Sequence, residues 1–124
     1  MGGKVRQYHR NPDVGRWKET IESIRSRLGL SDQPGQGYPT HFVLSIIHLE
    51  SSGNPYAQNK IGYTGLTQIG AQAAETIGLK NYKAALKGDG PLAIEAFFRH
   101  MEEPYMIKAH QYDYGAMAVA HNLG

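Results

Sequence analysis

"THFVLSIIHLESSGNPYAQNKIGYTGLTQ", Thr40 to Gln68, is the stretch on which the fold turns. An apolar run ends in a glutamate, a turn comes at once, and a glycine-spaced segment leads to a glutamine. On a helix at about 100° per residue with Val43 at zero, Ile47 falls near +40°, Leu44 near +100°, Ile46 near −60°, Phe42 near −100° and Leu49 near −120°. His41, Ser45 and His48 take the opposite side. Glu50 lands at roughly −20°, in the middle of the apolar arc. A glutamate there does not serve to solubilise the helix.

Position along the helix adds a second effect. The last turn carries partial negative charge from unsatisfied carbonyls, which disfavours an anion. Partial burial disfavours it too. Both push a carboxyl toward holding its proton near neutral pH, the property of a general acid. The competing reading is that the helix stops early and Glu50 points into water, as most helix-end glutamates do.

The residues after Glu50 tip the balance. In "SSGNP" Gly53 permits a left-handed residue, and Asn54-Pro55 starts a new direction. Gly62 and Gly65 then stand three apart, with Gln68 three further on. Glycines let backbone pass close to another group or a ligand. A glutamine donates and accepts, which suits the amides and hydroxyls of a sugar.

Outward from this stretch the sequence reads as short helices. Trp17, Ile21, Ile24 and Leu28 form one stripe of a helix from about Arg16 to Leu28, stopped by Gly29. "SDQPGQGYP", Ser31 to Pro39, is loop composition. Thr40 is a candidate N-cap for the helix ending at Glu50. A third helix is expected over Leu66–Ile77, and Asn81 is a candidate cap for a short one ending near Leu86. Pro91 suits the first turn of a helix with Ile94, Phe97, Phe98 and Met101 on its apolar stripe and Glu95, Arg99, Glu102 and Glu103 toward water. Pro104 should kink or end it. A last helix spans about Asp113 to His121. No long segment has strand periodicity, so the class is all-α, or α with minimal β.

With 124 residues, this is one domain by length. It contains 15 glycines and 6 prolines, which fits many turns. The absence of cysteine excludes a disulfide scaffold and a thiolate zinc site. Net charge is +2, and the basic excess gathers early: Lys4, Arg6, Arg10, Arg16, Lys18, Arg25 and Arg27 against Asp13, Glu19 and Glu22. A solvated face explains it best, and no nucleic-acid partner is expected. No apolar run reaches the length of a membrane span, and "MGGKVRQYHRNP" lacks the apolar core of a signal peptide. The histidines (His9, His41, His48, His100, His110, His121) show no H-E-x-x-H pattern, and His41 and His48 read as surface residues. No metal or cofactor is expected. Tyr63, Tyr105, Tyr112 and Tyr114 are candidates to stack on sugars, with ordinary packing an equal reading for all but Tyr63.

The motif residues resemble those of soluble-type lytic transglycosylases, which are related in fold to goose-type lysozyme. That family opens with E-S-x-x-N-P at a helix end; here it reads Glu50-Ser51-Ser52-Gly53-Asn54-Pro55. A G-x-x-G-L-x-Q segment begins twelve residues after the glutamate, and Gly62 to Gln68 sits at that offset. "AQAAETIG" offers Ala73-Ala74 and Gly78, and Ala120-His121-Asn122-Leu123-Gly124 partly matches a final A-Y-N-x-G. The resemblance covers about Tyr38 to Gly124. It implies a lysozyme-like domain of about six short helices, with 38–124 as catalytic core and 1–37 as a basic lead segment and first helix of the same domain. It also implies Glu50 as catalytic acid/base, Ser51 as its positioning neighbour, and Gln68 and Asn122 as glycan contacts. Tyr63 and His121 join them as substrate-binding candidates. His121 stands where the family usually has a tyrosine supporting the glutamate; a protonated imidazole there would lower the pKa of Glu50.

The chemistry so implied is cleavage of the MurNAc-GlcNAc β-1,4 bond of peptidoglycan with a 1,6-anhydromuramoyl product. After Glu50 the next carboxylate in sequence is Glu75, and the glycine-rich segment supplies none. Most glycosidases use two. A lone carboxylate fits a substrate whose own acetamido and C6 hydroxyl groups take the second role. Two alternatives stand beside it: a goose-type muramidase that hydrolyses, and a non-catalytic glycan-binding or structural module. His121, and a sequence that stops at this motif, favour the module. Action in the periplasm or cell wall is expected, either exported or virion-associated. With no leader in view, a phage or secretion assembly is the expected setting.

Overall fold

Six consecutive side chains, Phe42 to Ile47, are buried. A helix with no continuous polar stripe gains most by becoming the one the others wrap. In the computed structural model, which describes residues 12–123, it is third in chain order. The helices are α1 Pro12–Gly15, α2 Lys18–Arg27, α3 Thr40–Ser51, α4 Ala71–Thr76, α5 Tyr82–Leu86, α6 Gly90–Met101, α7 Pro104–His110 and α8 Tyr114–Leu123. Among the described residues, β pairing amounts to two isolated antiparallel bridges, Gln58 with Thr64 and Thr64 with Ile69. The chain is all-α, with more helical segments than the six expected. Lys4, Arg6, His9, Arg10 and Gly124 lie outside the described residues. No helix among the described residues is long and apolar enough to cross a membrane.

The second buried helix is α6. Ile94, Phe97, Phe98 and Met101 are fully buried, each such side chain contributing about 1.5–3 kcal/mol of transfer free energy. Asp89 caps the helix by accepting from the Leu92 amide at 3.0 Å, and Pro91 sits in the first turn. α6 packs on α2, α4, α5 and α7, while α3 packs on α1 and α2. Ile21, Ile24, Leu66, Ile69 and Met117 complete one apolar cluster with both helices.

Several local expectations give way. The third helix starts at Ala71, five residues later than Leu66, because Gln68 is left-handed (φ 55°) and its side-chain amide bonds backward to the carbonyls of Gly65 and Ala57. Thr40 is already helical, with Pro39 at the cap; its hydroxyl meets Arg25 and Glu22 instead. Asn81 occupies its cap position without a side-chain cap bond. Pro104 ends nothing by itself: α6 stops at Met101, and Pro104 opens α7, where its missing donor has no cost. Ser45, placed on the polar side, is buried, its hydroxyl turned back to the His41 carbonyl at 2.8 Å. Arg25 is no solvated charge either. It is buried and donates to the Tyr38 carbonyl at 2.8 Å, tying α2 to the start of α3.

Candidate active site

α3 ends where a left-handed residue stops it. That residue is Ser52 (φ 53°), whose amide bonds the His48 carbonyl, and Gly53 comes next at φ 85°. Glu50 therefore sits in the last turn of the core helix, half-buried, on the rim of a pocket. The pocket has a volume of about 130 Å³ and is lined by Glu50, Asn59, Tyr63, Gln68, His121 and Asn122. Five of these were singled out from the sequence, and the fold brings them together across more than seventy residues of chain.

The glycine-spaced segment forms one wall, and three side-chain bonds tie it to α3, α8 and α6. From α3, the Ser51 hydroxyl donates to the Leu66 carbonyl at 2.6 Å. From α8, His121 Nε2–H donates to the Thr67 carbonyl at 2.6 Å. From within the turn, Thr67 donates to the Ala93 carbonyl of α6 at 2.7 Å. Gly65 must be glycine: its φ is 87°, and a Cβ would meet the Leu86 carbonyl oxygen at 3.1 Å. Ser51 thus stands beside the pocket as a clamp rather than in its lining.

Gln68 is less versatile than its residue type suggests. Its Nε2 is committed to the carbonyls of Gly65 (2.9 Å) and Ala57 (3.1 Å), so Oε1 is the atom left to face a ligand. Asn59 is the complement, and sequence reasoning missed it. Its Oδ1 accepts from the amides of Ile61 and Tyr63 at 3.1 and 2.9 Å, leaving Nδ2 as a donor. The only cue was an asparagine opening the N-K-I-G turn, the ordinary place for such a side chain.

No donor among the described residues reaches the Glu50 carboxylate, and burial pushes its pKa up to about 7. His121 is fully enclosed, edge-on to Phe97 with centroids 5.0 Å apart. Burial pushes its pKa down to about 4, against the opposing pull of the Thr67 carbonyl. The imidazole is therefore neutral at neutral pH and brings no positive charge to Glu50. The bond to Thr67 fixes the proton on Nε2.

The remaining tyrosine candidates go elsewhere. Tyr105 is half-exposed and bonds His100 at 2.7 Å. Tyr112 donates to Glu102 at 2.8 Å. Tyr114 stacks on Phe42 with centroids 5.0 Å apart. Of the four, Tyr63 alone lines the Glu50 pocket.

No curated protein and no solved structure matches the chain. A family model, described as Transglycosylase SLT domain, matches residues 32–96, which is just over half of the 124 residues and includes Glu50, Ser51, Tyr63 and Gln68. The chain belongs to the transglycosylase SLT domain family, whose members act on cell-wall peptidoglycan.

Proposed function

We propose that the protein is a lytic transglycosylase that cleaves the MurNAc-GlcNAc β-1,4 bond and leaves a 1,6-anhydromuramoyl end. The observation that carries this reading is the composition of the Glu50 pocket: one carboxylate, half-buried, with no second acidic side chain in the lining. A two-carboxylate hydrolase places its partner about 5–10 Å away to act as nucleophile or to activate water. A lining with a single carboxylate fits a substrate that supplies that function itself.

The reaction takes two steps. Glu50, protonated because it is desolvated, gives its proton to the glycosidic oxygen as the C1–O bond breaks. The acetamido oxygen at C2 of the muramic sugar covers the cation left at C1. Glu50, now a carboxylate, takes the proton of the sugar's own C6 hydroxyl as O6 closes on C1. The proton returns to Glu50 and no water is consumed. Gln68 Oε1 and Asn59 Nδ2 offer an acceptor and a donor in the same pocket, the pattern an acetamido group needs. Tyr63 gives an apolar face for a sugar ring, and Asn122 lines the same pocket.

Digestion of intact sacculi with mass analysis of the released muropeptides tests the proposal. Products lighter by one water than hydrolysed ones are expected. Hydrated reducing ends would assign a muramidase, and sedimentation onto sacculi without release would assign a wall-binding module.

A further inference from the structure

A second and larger pocket opens at the same end of α3. It encloses about 540 Å³ between the α1–α2 corner and the turn just past Glu50, with Asp13, Arg16, Trp17, Asn54 and Tyr56 on its walls. It shares no residue with the Glu50 pocket. Arg16 and Trp17 precede the family-matched segment, so the lead segment builds this wall.

The wall is held in shape. The Arg16 guanidinium lies 4.8 Å from the Trp17 ring centroid, a stacked cation–π arrangement. Arg16 Nη2 and Trp17 Nε1 both donate to the Gly53 carbonyl, at 3.3 and 3.1 Å. Gly53 has to be glycine for this contact, since a Cβ there would lie 2.3 Å from the Asp13 carbonyl oxygen. With one nitrogen so used, the guanidinium keeps donors for a planar, bidentate carboxylate. Tyr56 lines the same pocket, packed on Gly88 yet 63% exposed, and adds a second aromatic ring.

We propose that this pocket receives the peptide stem carried by the muramic sugar, with Arg16 pairing a stem carboxylate between the Trp17 and Tyr56 rings. The inference rests on the peptidoglycan reading above. Reach supports it. Gly53 stands three residues beyond Glu50, at most about 11 Å along the backbone. A stem extending at roughly 3.5 Å per residue arrives with its second and third residues, the ones that bear free carboxylates.

Trp17 is the chain's single tryptophan, so its emission reports on this wall directly. The full chain is titrated with the disaccharide GlcNAc-MurNAc bearing its tripeptide, and separately with the same disaccharide without it. A saturable change with the stem-bearing ligand is expected, absent with the bare one, and Arg16→Gln should raise the Kd about tenfold. Tyr56→Ala serves as a second variant in the same pocket, with a weaker loss expected. Equal response to both ligands, or an unchanged Kd in Arg16→Gln, overturns the proposal. The sacculus digest separates the two claims. Anhydro products with no Trp17 response sink the stem pocket alone. A stem-dependent Trp17 response without release sinks the catalytic reading and leaves the stem pocket standing.

Discussion

Two glutamates sit at the ends of the two core helices, and their surroundings differ. Glu50 closes α3, half-buried, with no donor among the described residues and a carboxyl pushed up to about 7 by burial. Glu102 comes just after α6 and receives two hydroxyls on one oxygen, Tyr38 at 2.6 Å and Tyr112 at 2.8 Å. Those bonds and burial keep both phenols protonated: burial first and the bond to Glu102 second raise Tyr38, and the same causes push Tyr112 up to about 12. A carboxylate supplied with donors becomes an anchor, here between α6, the loop before α3 and the corner before α8. A carboxylate desolvated without donors keeps a proton it can give away. Both side chains come from the C-terminal end of a core helix, and their company sets them apart.

Exchanging roles is the sharpest way to break this contrast. Glu50→Gln should lower muropeptide release about 10³-fold while sacculus binding and helical content stay intact. A variant that still cleaves would mean the acid has been misassigned. The pH profile of release is next. Activity should decline roughly tenfold per pH unit above about 7 as Glu50 loses its proton; a rate flat to pH 9 would contradict a desolvated acid. Glu102→Ala should spare the chemistry and cost about 1–3 kcal/mol, because it leaves the buried Tyr38 hydroxyl without its acceptor. Urea unfolding and the pH profile read together check it, since a shifted profile would place Glu102 in the mechanism.

A subtler test uses the acid side of stability. The Glu50 pKa is raised, so its stabilising contribution is full below its ordinary value of 4.5 and lost as pH climbs through about 7. The His121 pKa is lowered, so its contribution is full above 6.5 and lost as pH drops toward 4. The slopes oppose each other, and each single variant exposes the other. Tm against pH should fall more steeply on acidification in Glu50→Gln. It should instead rise as pH falls from about 7 toward 4.5 in His121→Gln, which retains a donor for the Thr67 carbonyl. The smallest expected effect is Arg27→Ala. It breaks an exposed ion pair with Glu95 and should change stability by under about 1 kcal/mol.

Much of the candidate site was legible because its residues fall in short local patterns. The apolar arc around Glu50 and the spacing to Gln68 are properties of neighbours in sequence, and the structure gathers Glu50, Tyr63, Gln68, His121 and Asn122 in one pocket. What stayed hidden depends on partners far along the chain. Glu102 read as a solvent-facing residue, since nothing local announces Tyr38, sixty-four residues earlier. Arg25 read as surface charge because its acceptors, the Tyr38 carbonyl and the Thr40 hydroxyl, lie at the entry to the next helix. The segment from Leu66 has helical composition, yet contacts from Ser51 and His121 and the left-handed Gln68 hold it as a turn. Asn59 was missed for a different reason: its local role in a turn fully explains it until the pocket shows which of its atoms remains.

The carbonyls of Gly65, Leu66 and Thr67 are each gripped by a side chain: Gln68, Ser51 and His121 in turn. A turn bolted at three successive points is a rigid wall, so Gln68 Oε1 keeps its place in the pocket without help from a bound partner.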